Sequence, residues 1–212
     1  MLQQNNTMDK RSISLVGGLY VLFLVNEFWL NRITSGTPWV LADLSLRFVV
    51  ILILWVRFRT DIVAMLNLRP RWSWLAYIVV VCVLIIAYDA YVVRMLTEVY
   101  PQLTWSIGAF PGYDSTAIRV LDLSLGLVLV GVGEEILNRG FARQIYEQYF
   151  SGRVGLILVS AVLFTVMHWG QGVIEMSTAL VAGVLLMVTY LRTGSLVPGI
   201  ISHYLINLYF YL

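Results

Sequence analysis

Two adjacent carboxylates, Glu134 and Glu135, follow the glycines Gly131 and Gly133 inside an apolar run, with Arg139 just beyond them. On a helix, Glu135 and Arg139 are four residues apart and can neutralise each other. Glu134 then lies about 100° further round, free to point elsewhere, with Gly131 one turn earlier opening space beside it. A carboxylate in such a cleft can act as a general base. Asn138, four residues after Glu134 on the same face, could hydrogen-bond that carboxylate. The only two histidines also lie in apolar runs, where His168 shares a helix face with Phe164 and His203 shares one with Asn207. A single histidine of this kind is usually a hydrogen-bonded core residue. Two of them, with a carboxylate pair and an asparagine on consecutive C-terminal segments, exceed what packing requires.

Other charges in apolar surroundings have simpler readings. Ionisable groups are costly inside a membrane, so each one asks for a partner or a purpose. Asp43 and Arg47 are four apart and can pair on one face, and Arg119 with Asp122 can do the same. Both are expected to be charge-neutralising structural contacts. Glu27 and Asp89 stand alone and are expected to be buried, hydrogen-bonded packing residues.

The elements that must carry these residues follow from composition. Of the 212 residues, 59% are hydrophobic and 12% are charged, against about 25% charged in soluble domains. Such a chain has too little polar surface to face water all round, so lipid is its expected solvent. A spanning helix needs about 20 mostly apolar residues to cross about 30 Å of hydrocarbon. Seven runs qualify: Ser12–Leu30, Trp39–Val56, Trp74–Val93, Ala117–Gly133, Val154–Trp169, Val173–Leu191 and Leu196–Leu212. The fifth and seventh are short. The expected fold is therefore all-α, a polytopic transmembrane bundle of about seven spans, with residues 1–212 as a single transmembrane domain and no repeat or long linker.

The connections carry further information. Residues Thr60 to Arg71 suggest a short interfacial helix, Met95 to Ser115 an aromatic-rich outer loop, and Asn138 to Arg153 a continuation of the fourth helix beyond the hydrocarbon. With the N-terminus cytoplasmic, Lys10, Arg11, Arg57, Arg59, Arg69, Arg71, Arg139, Arg143, Arg153 and Arg192 fall inside, against Arg32 and Arg94 outside. That bias predicts an N-in, C-out arrangement. No small-residue cleavage site follows the polar start, so the first span is expected to be retained and not a signal peptide. Scattered arginines without a dense basic block argue against a nucleic-acid partner. The single cysteine, Cys82, allows no disulfide within one chain,.

Taken together, Glu134-Glu135-Ile136-Leu137-Asn138-Arg139, Phe164-x-x-x-His168 and His203-x-x-x-Asn207 resemble the three motifs of the CPBP family, the CAAX prenyl proteases and bacteriocin-processing enzymes also called ABI proteins. They stand in the family's order and cover roughly Ala117 to the C-terminus. The resemblance implies an intramembrane endopeptidase of the glutamic type without a metal or other cofactor. It implies that Glu134 activates water with help from His168, that His203 and Asn207 stabilise the oxyanion, and that Glu135 and Arg139 hold the cleft together. It further implies a membrane-associated protein or peptide substrate. Asn138 departs from the aromatic or apolar residue usual before the motif arginine.

Three other readings compete. A zinc-dependent version would use His168, His203 and a glutamate as ligands, though no local HExxH supports it. A non-catalytic immunity or scaffold protein of the same family would have no need of Glu134 and both histidines. A transporter would also carry ionisable residues in its helices, but no inverted repeat is visible. The small size and the arginine-biased loops are compatible with a bacterial inner membrane.

Overall fold

The computed structural model describes residues 7–30, 32–104 and 110–212, without the side chains of Glu27 and Phe28. The reading of Glu27 as a packing residue, and the centre of the aromatic-rich connection, therefore fall outside it. The described residues form an all-α bundle of seven helices: α1 (Lys10–Leu30), α2 (Gly36–Leu66), α3 (Ser73–Val99), α4 (residues 116–149), α5 (Arg153–Met167), α6 (Val173–Thr193) and α7 (Val197–Tyr211). Three of them, α2, α3 and α6, are long and apolar enough to cross a membrane. Their outward faces carry exposed Val49, Leu52, Ile53, Val79, Val80 and Val83. Apolar side chains in such numbers cannot face water at this density, and with three helices long and apolar enough to span they mark an integral membrane protein,. The short fifth and seventh runs become helices of 15 residues each, about 22 Å long at about 1.5 Å per residue. That is less than the hydrocarbon thickness.

Three boundaries differ from expectation. The second helix is broken by non-helical backbone at Phe58 (φ −131°, ψ 31°), close to the expected end at Val56. The segment expected as a separate interfacial helix from Thr60, however, continues directly from the bend to Leu66, where Asn67 in the left-handed region (φ 39°) stops it. The bend is packed in place by Phe58 against Phe141, ring centroids 4.9 Å apart. The third helix runs on through a π-helical stretch, Asp89–Val93, to Val99, so the connection that follows is shorter than expected. The fourth is the longest element. It includes two π-helical stretches, Asp122–Gly126 and Ile136–Phe141, and it does continue past the carboxylate pair as expected. Because α4 extends on both sides of Glu134, that residue sits near its middle and not at one end.

Helix α4 packs between α2 and α7, and α7 in turn packs on α3. Helices α5 and α6 form the closest pair. A Cβ on Gly183 would stand 2.7 Å from Ala161 Cα, so only glycine allows the two backbones this approach, as is common where apolar solvent gives helices little other reason to associate. The turn between α6 and α7 is tied to the end of α2. Ser195 Oγ donates to the Leu66 carbonyl at 2.5 Å, Leu196 N donates to Met65 O at 3.0 Å, and Asn67 Nδ2 donates to Gly194 O at 3.1 Å. At the other end of α2, Asp114 accepts from Ser35 Oγ (2.9 Å) and from the backbone N–H of Gly36 (3.2 Å) and Thr37 (2.5 Å). A carboxylate on free N–H groups at a helix N-terminus is favourable, and these bonds hold the Asp114 carboxyl well below its ordinary 3.8, at about 2. The start of α4 and the start of α2 are thereby fastened together.

Candidate active site

The first motif sits where α4 passes from α-helix into the π-helical stretch, a distortion frequent at functional sites. From Gly133 to Ala142 every residue is buried. Asn138 and Arg139 lie within the widened turns, where Ser160 Oγ on α5 donates to the Asn138 carbonyl at 2.6 Å. Asn138 Nδ2 donates to the Glu134 backbone carbonyl at 3.0 Å and lies 3.1 Å from Met167 Sδ. It does not reach the Glu134 carboxylate, so that expected bond is absent. The widened helix instead turns the amide back onto the main chain and toward α5.

The two carboxylates have separate partners. Glu135 Oε1 lies 3.2 Å from Arg139 Nη1, with the two side chains 1% and 0% exposed. The expected pair is present, but the approach is that of an ion pair without hydrogen-bond alignment, and the Arg139 N–H groups have no aligned acceptor. The guanidinium lies over the Phe164 ring, its Cζ 4.1 Å from the centroid, where the π face supplies further attraction. Glu135 Oε1 also accepts from His203 Nδ1 at 3.1 Å. Glu135 Oε2 stands 2.9 Å from where a Cβ on Gly199 would be, so α7 carries glycine at its contact with this carboxylate.

Glu134 is less free than the sequence suggests. Its Oε1 accepts from Arg47 Nη1 on α2 at 2.8 Å, while Oε2 has no hydrogen-bond partner and lies 3.8 Å from His203 Nε2. The expected Asp43–Arg47 pair forms at 2.7 Å, but it is not merely self-neutralising, because the same guanidinium serves Glu134. The second expected pair does not form. Asp122 accepts from the Tyr113 hydroxyl at 2.9 Å in place of pairing with Arg119. Asp89, expected to be buried, is half-buried within the π-helical stretch of α3.

Phe164 gathers the remaining motifs. His168 stacks on it with centroids 4.5 Å apart, and His203 meets it edge-on at 5.5 Å. His168 ends α5, and its Nδ1 donates to the Phe164 carbonyl at 2.8 Å. A carbonyl can only accept, so the proton is on Nδ1 and Nε2 is the nitrogen left for chemistry. Helix α1 braces this segment at two points, with Tyr20 OH donating to Leu163 O (2.6 Å) and Trp169 Nε1 donating to Leu24 O (3.1 Å). His168, His203 and Asn207 line one cavity of about 370 Å³, together with Phe164 and the apolar Ile85, Ala182, Leu186 and Ile206. The structure thus brings the three motifs to one place.

Arg47, Asn26 and Gly199 were not singled out as site residues by sequence. Arg47 carried a usable signal as a cation inside an apolar run, but its second partner is 87 residues away. Among the described residues no group of three His, Cys, Asp or Glu side chains is arranged to hold a metal ion.

Comparison with known proteins agrees with this assembly. Residues 116–209, from the start of α4 into α7, match the family model described as Rce1-like, type II CAAX prenyl endopeptidase. No curated protein and no solved structure matches the chain. The matched segment, which carries all three motifs, is similar to the type II CAAX prenyl endopeptidases and so to the CPBP family of membrane proteases.

Proposed function

We propose that this protein is an intramembrane endopeptidase of the glutamic type, and that its substrate is a membrane-associated protein or peptide, among which prenylated chains are the class the family description names. The observation that carries this reading is the convergence of His168, His203 and Asn207 on one cavity, with a carboxylate oxygen of Glu134 3.8 Å from His203 and hydrogen-bonded to nothing. Peptide hydrolysis without a covalent nucleophile needs a base, a group to orient water and donors for the oxyanion. In the reaction we infer, Glu134 Oε2 takes a proton from water while His168 Nε2 accepts the hydrogen bond of its other O–H. The hydroxide so formed adds to the substrate carbonyl carbon, and the oxygen that becomes negative is held by the Asn207 amide and by His203 in its doubly protonated form, with Nδ1–H on Glu135 and Nε2–H on the oxyanion,. When the C–N bond breaks, the proton stored on Glu134 passes to the departing amine.

The apolar part of the cavity wall, formed by Ile85, Phe164, Ala182, Leu186 and Ile206, suits an apolar segment next to the scissile bond,. Residues 1–212 act on this reading as one domain, because α1 and α2 hold parts of the site built on α4, α5 and α7. The arginine bias supports an N-in arrangement in a bacterial inner membrane. Cysteines placed at Ser151 and Gln102 should be labelled from opposite sides, and labelling of both from one side would overturn the orientation.

The activity itself is tested by incubating the purified protein in detergent with a peptide mixture that includes farnesylated members, read by mass spectrometry. Cleavage at a defined bond is expected. In the Asn207→Ala variant the rate should fall about 10²–10³-fold, the usual cost of one oxyanion donor. A rate unchanged in that variant would remove Asn207 from the site.

A further inference from the structure

A hydrogen-bonded chain of four side chains reaches Glu134 from the part of the molecule that has no family match. Asn26 Nδ2 on α1 donates to Asp43 Oδ1 at 2.8 Å. Asp43 Oδ2 accepts from Arg47 Nε at 2.7 Å, and Arg47 Nη1 donates to Glu134 Oε1 at 2.8 Å. Asn26, Asp43 and Glu134 are buried, and the Arg47 side chain is 13% exposed, its Cζ 5.3 Å from the Phe23 ring. Residues 26, 43 and 47 all precede the matched segment 116–209.

We propose that Arg47 is the positioning residue for the catalytic carboxylate, and that α1 and α2 thereby complete the active site. This rests on the reading of Glu134 as the base. Asp43 and Arg47 are four apart on one helix and neutralise each other without help, so neutrality does not explain the further bond to Glu134. The planar guanidinium explains it, because two of its nitrogens point in fixed directions toward two different carboxylates. Asp43 is held from its other oxygen by Asn26, so the guanidinium cannot swing away, and Glu134 Oε1 is fixed by it. One carboxylate oxygen is thereby clamped, and Oε2, the one facing His203, is left for water. A lysine could supply the charge at this position but not the two fixed directions.

The test measures kcat, KM and melting temperature of purified full-length variants on one fluorogenic peptide, chosen as the best-cleaved sequence from the mixture described above. Arg47→Gln should lower kcat about 100-fold with KM within about twofold, the signature of a misplaced catalytic group. Arg47→Lys should recover only part of that loss. Arg47→Gln combined with Asp43→Asn removes the pair together, so no carboxylate of α2 is stranded. Its melting temperature should lie closer to that of the wild type than that of Arg47→Gln alone, while kcat stays low. A purely structural role predicts the opposite, with kcat per folded molecule restored in the double variant, and that result would overturn the proposal. Failure of the underlying reading looks different: without peptidase activity the wild type itself would cleave nothing in the mixture, and if Glu134 were not the base, Glu134→Gln would turn over peptide as well as the wild type does.

Discussion

Two charge pairs with the same spacing behave as opposites in this molecule. Glu135 and Arg139, four apart on α4, are 1% and 0% exposed, and they share the carboxylate with His203. Arg94 and Glu98, also four apart, sit at the end of α3 at 79% and 66% exposure, 3.2 Å apart. The spacing gives both pairs contact, but burial decides what the contact is for. In the exposed pair, water screens each charge and replaces any partner that is lost. In the buried pair nothing replaces a lost partner, so each group is held in one place by the other, and a histidine can be aimed from them. Fixed direction is what a catalytic site needs, and in this bundle it is obtained where stability gains least from charge.

The contrast can be measured. Glu135→Gln leaves Arg139 buried without a charged partner and should cost about 3–5 kcal/mol, read as a lower melting temperature. Turnover per folded molecule should fall as well, because a neutral amide holds the His203 Nδ1–H more weakly than the carboxylate does. If the melting temperature holds, the buried pair is no different in kind from the exposed one. At the fasteners between helices the effect is smaller and depends on pH. The Asp114 carboxyl is held at about 2, below its ordinary 3.8. The stability it contributes is therefore present above about pH 4 and lost as pH falls through about 2. Asp114→Asn should melt lower than wild type at neutral pH, with the gap closing across that window. A gap that persists unchanged at pH 2 would show that the carboxylate charge is not what fastens α2. Smallest of all, Glu98→Gln should shift stability by no more than about 0.5 kcal/mol, within error of a thermal scan.

The sequence carried the site's local chemistry and little of its tertiary wiring. Glu134, Glu135, Arg139, Phe164, His168, His203 and Asn207 are legible because each motif fits within one helical turn, where spacing fixes which side chains share a face. The Arg47–Glu134 bond is not legible, because it depends on where α2 packs against α4. The same holds for Asp114 at the start of α2, 78 residues from Gly36. The expected Asn138 bond to the carboxylate assumed a regular α-helix, and the π-helical stretch at Ile136–Phe141 removes that assumption. Seven helices were legible from apolar runs, whereas their true lengths were not. Charged residues such as Arg57, Arg59 and Asp61 interrupt hydropathy without ending the helix, and α2 bends among them at Phe58 and continues to Leu66.

The account depends most directly on the division of labour between the adjacent carboxylates. Glu134→Gln keeps the shape of the side chain, and its amide oxygen can still accept from Arg47, so the fold should survive. The variant can no longer take a proton from water. Purified wild type and Glu134→Gln should be compared for melting temperature and for turnover of one cleavable peptide. The account predicts a melting temperature within a few degrees of wild type and no detectable cleavage. A folded Glu134→Gln protein that cleaves the peptide at a substantial rate would contradict it.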